Sequence, residues 1–354
     1  MCIFLATTAH PSYAIIILDN RDEFLYRPTS RLHWWSIGHK DVLSSRDLLR
    51  EEQGTWMGIS KTGNVAVLTN FQEGRDSRQP LRGAKSRGEM VTAWLTSPND
   101  ESSKNFANRM INNGLRDVGG FSLVCGKLRR RKDFRNKQIE PFAIISNRAT
   151  APDQISWIAG QRGRAYGLSN TAYDNLRVWP KVVTGEKKLL EVVGEAILAD
   201  LGKTELTAKF FALLSTRTFS NVAGMDFQET LEHIRQSICI PRFEVSPPMA
   251  DPMVHVDISG VETETVPNLP TPTLSTTEGL IHQDNDYMAG AYGTQRQTVL
   301  LVDWDGNVTY TERALYNAKG EAIHQGQGDT VFEFKIDGWN CERGIQEHRA
   351  SAVL

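Results

Sequence analysis

The first third of the chain alternates short apolar runs with turn-forming residues. "CIFLATT" (2–8) and "YAIIILDN" (13–20) flank "AHPS", and runs of this kind around Pro and Ser predict a β-hairpin. "GTWMGISKTGNVAVLTN" reads as a second hairpin, with strands at 55–60 and 65–70 around a turn at 61–64. The stretch between the hairpins, with Trp34 and Trp35, is less regular. "SRGEMVTAWL" and "ESSKNFANRMINNGL" then space their apolar residues as helices do, each opened by a Ser, Asn or Asp cap.

Strands return at "GFSLVCGKL", "EPFAIISN" and "QISWIAG", followed by the short "AYGLSN". Three helical patterns come next: "GEKKLLEVVGEAILADL", "KTELTAKFFALLS" and "MDFQETLEHIRQS". "QTVLLVDW" and "NVTYTERAL" flank Asp305-Gly306, a strong hairpin signal, and "DTVFEFKI" closes the series. The segment 241–287 holds seven prolines and little periodicity, so it reads as a loop insertion. The strands beyond it are too few for a core of their own and are expected to join sheets begun near the N-terminus. The pattern predicts one α+β domain over 1–354, with helices covering sheets and a short tail after about 338.

Composition narrows the class. Of 354 residues, 40% are hydrophobic and 23% charged, the balance of a globular protein with a large core. A formal net charge of -2 marks neither a nucleic-acid binder nor a membrane-surface binder. The one basic cluster, "KLRRRKDFRNK" at 127–137, reads as an exposed loop between strands. Cys2, Cys125, Cys239 and Cys341 are too scattered for a zinc ribbon or a redox CxxC pair and suit a reducing compartment. No apolar run reaches the roughly 20 residues of a membrane helix. "CIFLATTAH" is too short for a secretory signal. A cytosolic protein, at most peripherally attached to a membrane, is expected.

Cys2 is the first residue that can carry chemistry. Initiator methionine is normally trimmed before a small second residue, which would leave a free α-amine beside the thiol. With a pKa near 8, that amine can serve as base for its own side chain. On its own, Cys2 reads first as a small buried residue opening a strand. The second feature is Asn20-Arg21-Asp22-Glu23, directly behind an apolar run that stops at Leu18. As a turn at a strand end it is unusual, because an Arg flanked by acids is not turn chemistry. If the first two strands pair antiparallel, Arg21 and Asp22 lie beside Cys2 at a sheet edge. There Arg21 favours a thiolate, and Asp22 orients the α-amine. Asn70 in "VAVLTN" and Asn170 in "YGLSN" end other strand-like runs and can donate to an oxyanion, or act as Asx turns or caps. HExxH, the P-loop, the dinucleotide glycine fingerprint and GxSxG are absent.

Read together, these pieces resemble the NRDE family, the Transport and Golgi organization protein 2 homologues. The matching stretches are "MCI", "NRDEF" with "RP" at 27–28, "GTWMGIS", "LTN", "RGEMV", "YGLSN", "YGT" at 292–294 and "LVDWDGNVTYTER". They occur in the family's order from residue 2 to about residue 336, with 127–137 and 241–287 as additions of a fungal-type member. The resemblance implies an N-terminal-nucleophile hydrolase-like fold, an αββα sandwich of two stacked, mostly antiparallel sheets flanked by helices. It is distantly similar to choloylglycine hydrolases. Carried over, that pattern makes Cys2 the nucleophile, Arg21 its arginine, and Asn70 and Asn170 the oxyanion and substrate asparagines. Those enzymes place their aspartate three residues after the arginine, whereas here Asp22 is adjacent and position 24 is Phe. Asn20, Arg27, Trp56 and Tyr292, from the same motifs, are candidate ligand contacts.

Relatives often carry an arginine straight after "YGT"; here that place is Gln295, and strand alternation turns the following Arg296 to the opposite face. The family is associated with secretion, Golgi organization, mitochondria, lipid metabolism and haem trafficking. The expected activity is amide hydrolysis or acyl transfer on a small amide or thioester. The alternative is a non-catalytic carrier of haem or an acyl-CoA-like lipid, with Cys2 or His10 as a haem ligand. No metal or required cofactor and no nucleic acid is implied, and nothing here fixes an oligomeric state.

Overall fold

The computed structural model describes residues 2–71, 86–112, 118–131, 137–146, 148–173, 178–222, 225, 227–245 and 290–340. Sixteen strands and five helices lie within them. The first sheet holds β1 (Ile3–Thr7), β2 (Tyr13–Phe24), β12 (Ala165–Leu168), β13 (Phe243–Val245), β14 (Gly290–Asp303), β15 (Asn307–Ala314) and β16 (Asp329–Lys335). Its order is β12-β1-β2-β14-β15-β16, with β13 added beside the start of β14. The second sheet holds β3 (His33–Ile37), β4 (Lys40–Ser44), β5 (Met57–Ser60), β6 (Asn64–Asn70), β7 (Phe121–Lys127), β10 (Phe142–Ser146) and β11 (Ser156–Ile158). Its order is β11-β10-β7-β6-β5-β4-β3. β8 (Arg130–Arg131), inside the basic cluster, pairs with β9 (Gln138–Ile139) just past its end as a separate ribbon, and residues 132–136 of the cluster lie outside the described ones.

Alternation along the central strands divides their side chains between two layers. Phe4, Ile15 and Ile17 look between the sheets, where they meet Val65, Val67 and Phe142 of the second sheet. Ile3, Leu5, Ile16 and Leu18 look outward and are covered by α3 (Pro180–Leu198) and α4 (Lys203–Leu214) through Leu189, Val193, Phe210 and Leu214. On the far side, Met90, Trp94 and Phe106 of α1 (Arg87–Leu95) and α2 (Ser103–Asn112) cover Ala66, Leu123 and Cys125. The result is the αββα sandwich, each sheet buried on both faces. Burying one such aliphatic or aromatic side chain contributes about 1.5–3 kcal/mol.

Several expectations change. β2 does not stop at Asn20: it runs to Phe24, so "NRDEF" is the closing part of a 12-residue strand and not a turn behind one. β14 pairs along it from Tyr13 to Phe24, while β1 pairs with β2 only from Ile16 to Asn20, so Arg21–Phe24 extend past the start of β1 with β14 as their strand partner. β14 itself begins at Gly290, well before the apolar run at 297, and lies between β2 and β15, as the closing strands were expected to do. The irregular stretch around Trp34 and Trp35 is the β3–β4 hairpin, tied by the Trp35 indole N–H to Ser44 Oγ at 2.8 Å. α3 starts at Pro180, one turn earlier than its apolar spacing, because Pro at the first helical position costs no hydrogen bond. The Asp305-Gly306 turn forms as expected, with Gly306 at φ +80°, a conformation other residues adopt only with strain. Most of the proline-rich segment (246–287) and the tail beyond 340 lie outside the described residues.

Candidate active site

The pairing registers converge on Cys2. Ile3 faces Asn20 across β1–β2 and Phe4 faces Leu168 across β1–β12. One and two further rungs place Cys2 opposite Arg21 on one side and Asn170 on the other. The Ser169 hydroxyl closes this end by donating to the Cys2 carbonyl at 2.7 Å. β14 continues the row, because Arg296 pairs with Arg21. Residues opposite one another in neighbouring strands share a face, so Asn170, Cys2, Arg21 and Arg296 form one line across four strands, all buried.

Arg296 was expected on the other face. A β-bulge overturns that: Thr294 pairs with Asp22 and Arg296 with Arg21, leaving Gln295 as the extra residue. The inserted residue resets the alternation. Gln295 Oε1 accepts from Arg21 Nη2 at 2.8 Å, and Arg296 Nε lies 3.9 Å from Glu312. Burial, with Arg21 close by, brings the Arg296 guanidinium down to about 10.

Arg21 is held rigidly. Its guanidinium donates to Ser45 Oγ (3.2 Å), Thr29 Oγ1 (3.3 Å) and Gln295, and lies 4.4 Å from the Trp56 ring centre. Arg27 flanks the same ring at 5.5 Å and makes a two-point bond to Asp47, at 3.2 and 2.7 Å. Trp56 thus lies within cation–π range of both arginines, an arrangement worth about 1 kcal/mol per contact. Asp19 shares the inward face of β2, two residues from Arg21.

Asp22 points the other way, toward the helix layer. Its Oδ1 accepts from the Thr294 hydroxyl at 2.6 Å, and the same Thr294 oxygen accepts the Ile240 N–H at 2.8 Å. Its Oδ2 lies 3.9 Å from Lys181 Nζ, and its backbone carbonyl accepts from Tyr292 Oη at 3.2 Å. Asp22 is nonetheless close to Cys2, since its backbone N–H reaches the sulfur. Burial above all, and then the carboxylates of Asp19 and Asp22, push the Cys2 thiol up to about 11. Near neutrality the sulfur therefore keeps its proton and needs a base to become a nucleophile.

The other expected residues sort by geometry. Asn170 is buried, its Oδ1 3.4 Å from Ser169 Oγ. Asn70 ends β6 half-exposed, and the Ser122 hydroxyl of the neighbouring strand bonds Thr171 carbonyl at 2.9 Å. That bond brings the Asn70 end of the second sheet up to the segment carrying Asn170. Asn20 faces outward and spends its amide on the carbonyls of Leu214 and Ile238, both at 2.8 Å, so it ties β2 to the helix layer. His10 lies in the β1–β2 turn, at the far end of β1 from Cys2. A cavity of about 720 Å³ opens at that far end too, beside Tyr13, Lys203, Asp303 and Trp304, and contains none of the expected residues.

Sequence reasoning missed Lys181, Thr294, Gln295 and Asp19. Lys181 had one legible signal, the Trp-Pro-Lys that opens α3. The others depend on β14 pairing with β2, some 270 positions apart. Among the described residues no group of three or more His, Cys, Asp or Glu is arranged to hold a metal. No helix among them is long and apolar enough to cross a membrane.

Comparison with known proteins places the chain. Residues 1–317 match the family described as Transport and Golgi organisation 2. An uncharacterized protein of Saccharomyces cerevisiae is 28% identical over 353 residues, 95% of this chain and all of that protein. Transport and Golgi organization protein 2 homologs of Bos taurus and Homo sapiens are each 28% identical over 305 residues, 86% of this chain and 87% of theirs. Among solved structures, a Caenorhabditis elegans ortholog of N-acylethanolamine-hydrolyzing acid amidase is 14% identical. The match covers 67% of this chain and 98% of that one at a TM-score of 0.40. A Clostridium perfringens conjugated bile acid hydrolase variant is 10% identical over 95% of this chain and 97% of that one, at 0.31. Neither likeness speaks to chemistry. With nine-tenths of its length matched to the family, the chain belongs to the Transport and Golgi organisation 2 family.

Proposed function

We propose that the chain is an N-terminal-nucleophile amide hydrolase or acyltransferase acting through Cys2 once Met1 has been removed. What carries this reading is the convergence of Asn170, Cys2 and Arg21 where the β1–β2 register is continued one rung past Ile3–Asn20 and the β1–β12 register two rungs past Phe4–Leu168. The α-amine of Cys2, with a pKa near 8, takes the thiol proton. The thiolate then attacks a carbonyl carbon, and the carbonyl oxygen gains the negative charge. Asn170 donates to that oxyanion, as such donors do. The leaving amine or thiol departs with the proton from the α-amine, and water or a second acceptor resolves the thioester. Arg21, locked by Ser45, Thr29, Gln295 and Trp56, supplies fixed positive charge on the same face. A cysteine-directed acylating probe and intact-mass measurement test this. The expected product is a chain lacking Met1 that carries one acyl group, lost in Cys2→Ala. Retained Met1, or acylation that survives Cys2→Ala, would refute it.

A further inference from the structure

β16 ends the first sheet, with β15 on one side of it and no strand on the other among the described residues. It is the longest of the strands that end the two sheets, with seven residues against four in β12, three in β11 and five in β3. Its register with β15 runs without a bulge, and it contains no proline. Proteins often blunt such an edge with a bulge, a proline or a very short strand, because its unpaired backbone is a template for another chain. Charged side chains are a further device. β16 carries three, so the register of a pairing decides whether they deter or assist it. The bonds that flank the strand identify its unpaired groups. The Ala314 N–H donates to the Gly328 carbonyl at 3.0 Å, and the Ile336 N–H donates to the Gly306 carbonyl at 2.9 Å, both on the β15–β16 register. In an antiparallel ladder the residues that bond a given neighbour alternate. Thr330, Phe332 and Phe334 therefore bond β15, and Asp329, Val331, Glu333 and Lys335 turn their N–H and C=O groups to the open edge. Val331 is 54% exposed, and Glu333 and Lys335 are exposed with it.

We propose that β16 is a self-association surface, which pairs antiparallel with β16 of a second copy of this chain about a two-fold axis through Phe332. The charges select both the partner and the register. With the axis at Phe332, Asp329 stands opposite Lys335 of the second copy at each end, and Val331 stands opposite Glu333. An axis at Val331 sets Asp329 against Glu333, and an axis at Glu333 sets that carboxylate against its own copy. Like charges directly opposite weaken a strand pair. In the Phe332 register the four edge-facing residues meet as hydrogen-bonded pairs and exchange about eight backbone bonds. Phe332, packed against the core between the sheets, meets its own copy on the axis as a non-hydrogen-bonded pair, where side chains come closest. Contacts within each chain hold the acids in place beforehand. Arg313 makes a two-point bond to Asp329, each arm 2.8 Å, and Lys203 bonds Glu333. Two copies joined in this way share one continuous sheet, and every contact is made twice, as in closed dimers. β14 and β15 separate this edge from β2, so the inference is independent of the reading of Cys2.

Sedimentation of the full chain under reductant, from about 1 to about 100 μM, tests this. The expected result is a shift from the mass of one chain to the mass of two. Val331→Pro removes an N–H that faces the open edge and leaves the β15 ladder intact. It is expected to stay at the single-chain mass throughout, with the circular dichroism of wild type. Lys335→Glu sets acids opposite Asp329 at both ends and is expected to raise the concentration of half-dissociation by about tenfold. Lys319→Glu, exposed in the connection before β16, is expected to leave it within about twofold. A chain that keeps the single-chain mass at about 100 μM overturns the inference. So does a dimer that survives Val331→Pro or is indifferent to Lys335→Glu. If Val331→Pro fails to fold, Lys335→Glu decides alone, because its side chain is exposed. Amide hydrogen exchange separates the other occupant. Val331, Glu333 and Lys335 N–H groups protected in the single chain are covered by other residues of that chain, and this result also overturns the inference.

Discussion

Asp19 gives the fold a pH dependence that can be worked out in advance. It lies on the inward face of β2 and is 5% exposed. Burial first, then the neighbouring Asp22 and Glu312 carboxylates, raise its carboxyl from the ordinary 3.8 to about 8, against the pull of Arg21. Its Oδ1 accepts no hydrogen bond among the described residues, as suits a carboxyl that keeps its proton. Between those two values the folded chain holds a proton that the unfolded chain has released. Stability therefore falls as pH rises through the window from 3.8 to about 8, and levels off above it. Each unit is worth about 1.4 kcal/mol, so the loss is about 3 kcal/mol by about pH 6 and about 6 kcal/mol at most beyond about pH 8. Asp19→Asn has nearly the shape of the protonated acid and does not titrate. Urea unfolding of both proteins, under reductant and at steps between about pH 5 and about pH 8.5, isolates the effect, because every other group is common to the two. The expected result is a wild type that weakens relative to the variant by about 1.4 kcal/mol per unit, with the difference levelling off near pH 8. Parallel curves across the range would refute the reasoning.

Two further substitutions probe what positions the site. Gly126 sits in β7 where an added Cβ would lie 2.0 Å from the Phe142 ring, so Gly126→Ala is expected to cost about 3 kcal/mol, read as a lowered urea midpoint at unchanged slope. Asn20→Ala orphans the carbonyls of Leu214 and Ile238 and is expected to cost about 2–4 kcal/mol. The folded Asn20→Ala fraction should keep its Cys2 alkylation rate, and a lost rate with unchanged stability would instead make Asn20 part of the ligand site.

The chain's own order of apolar and polar residues determined the element types, the hairpins at 2–20 and around Asp305-Gly306, and the helices that cover the sheets. These are local: a run of three or four apolar residues, or a turn residue between two runs, carries the instruction within a few positions. The residues suspected of chemistry were legible for a related reason, since the Arg21-Asp22 pair violates what a plain turn would contain and Cys2, ordinary by itself, stands beside it once the two strands pair. What the tertiary structure alone decided is how the second half of β2 is used. A strand buried on both faces shows no alternation, so "NRDEF" reads as a turn until β14, some 270 residues later, supplies Thr294, Gln295 and the pairing that buries it. The face of Arg296 was decided by the bulge at Gln295, which arises from how two strands fit and leaves no mark on the local pattern. Lys181 was decided by packing as well. Only when α3 lies across β1 does the first turn of a helix come within reach of Asp22, because a charge in the interior takes its meaning from the partner that the fold places beside it.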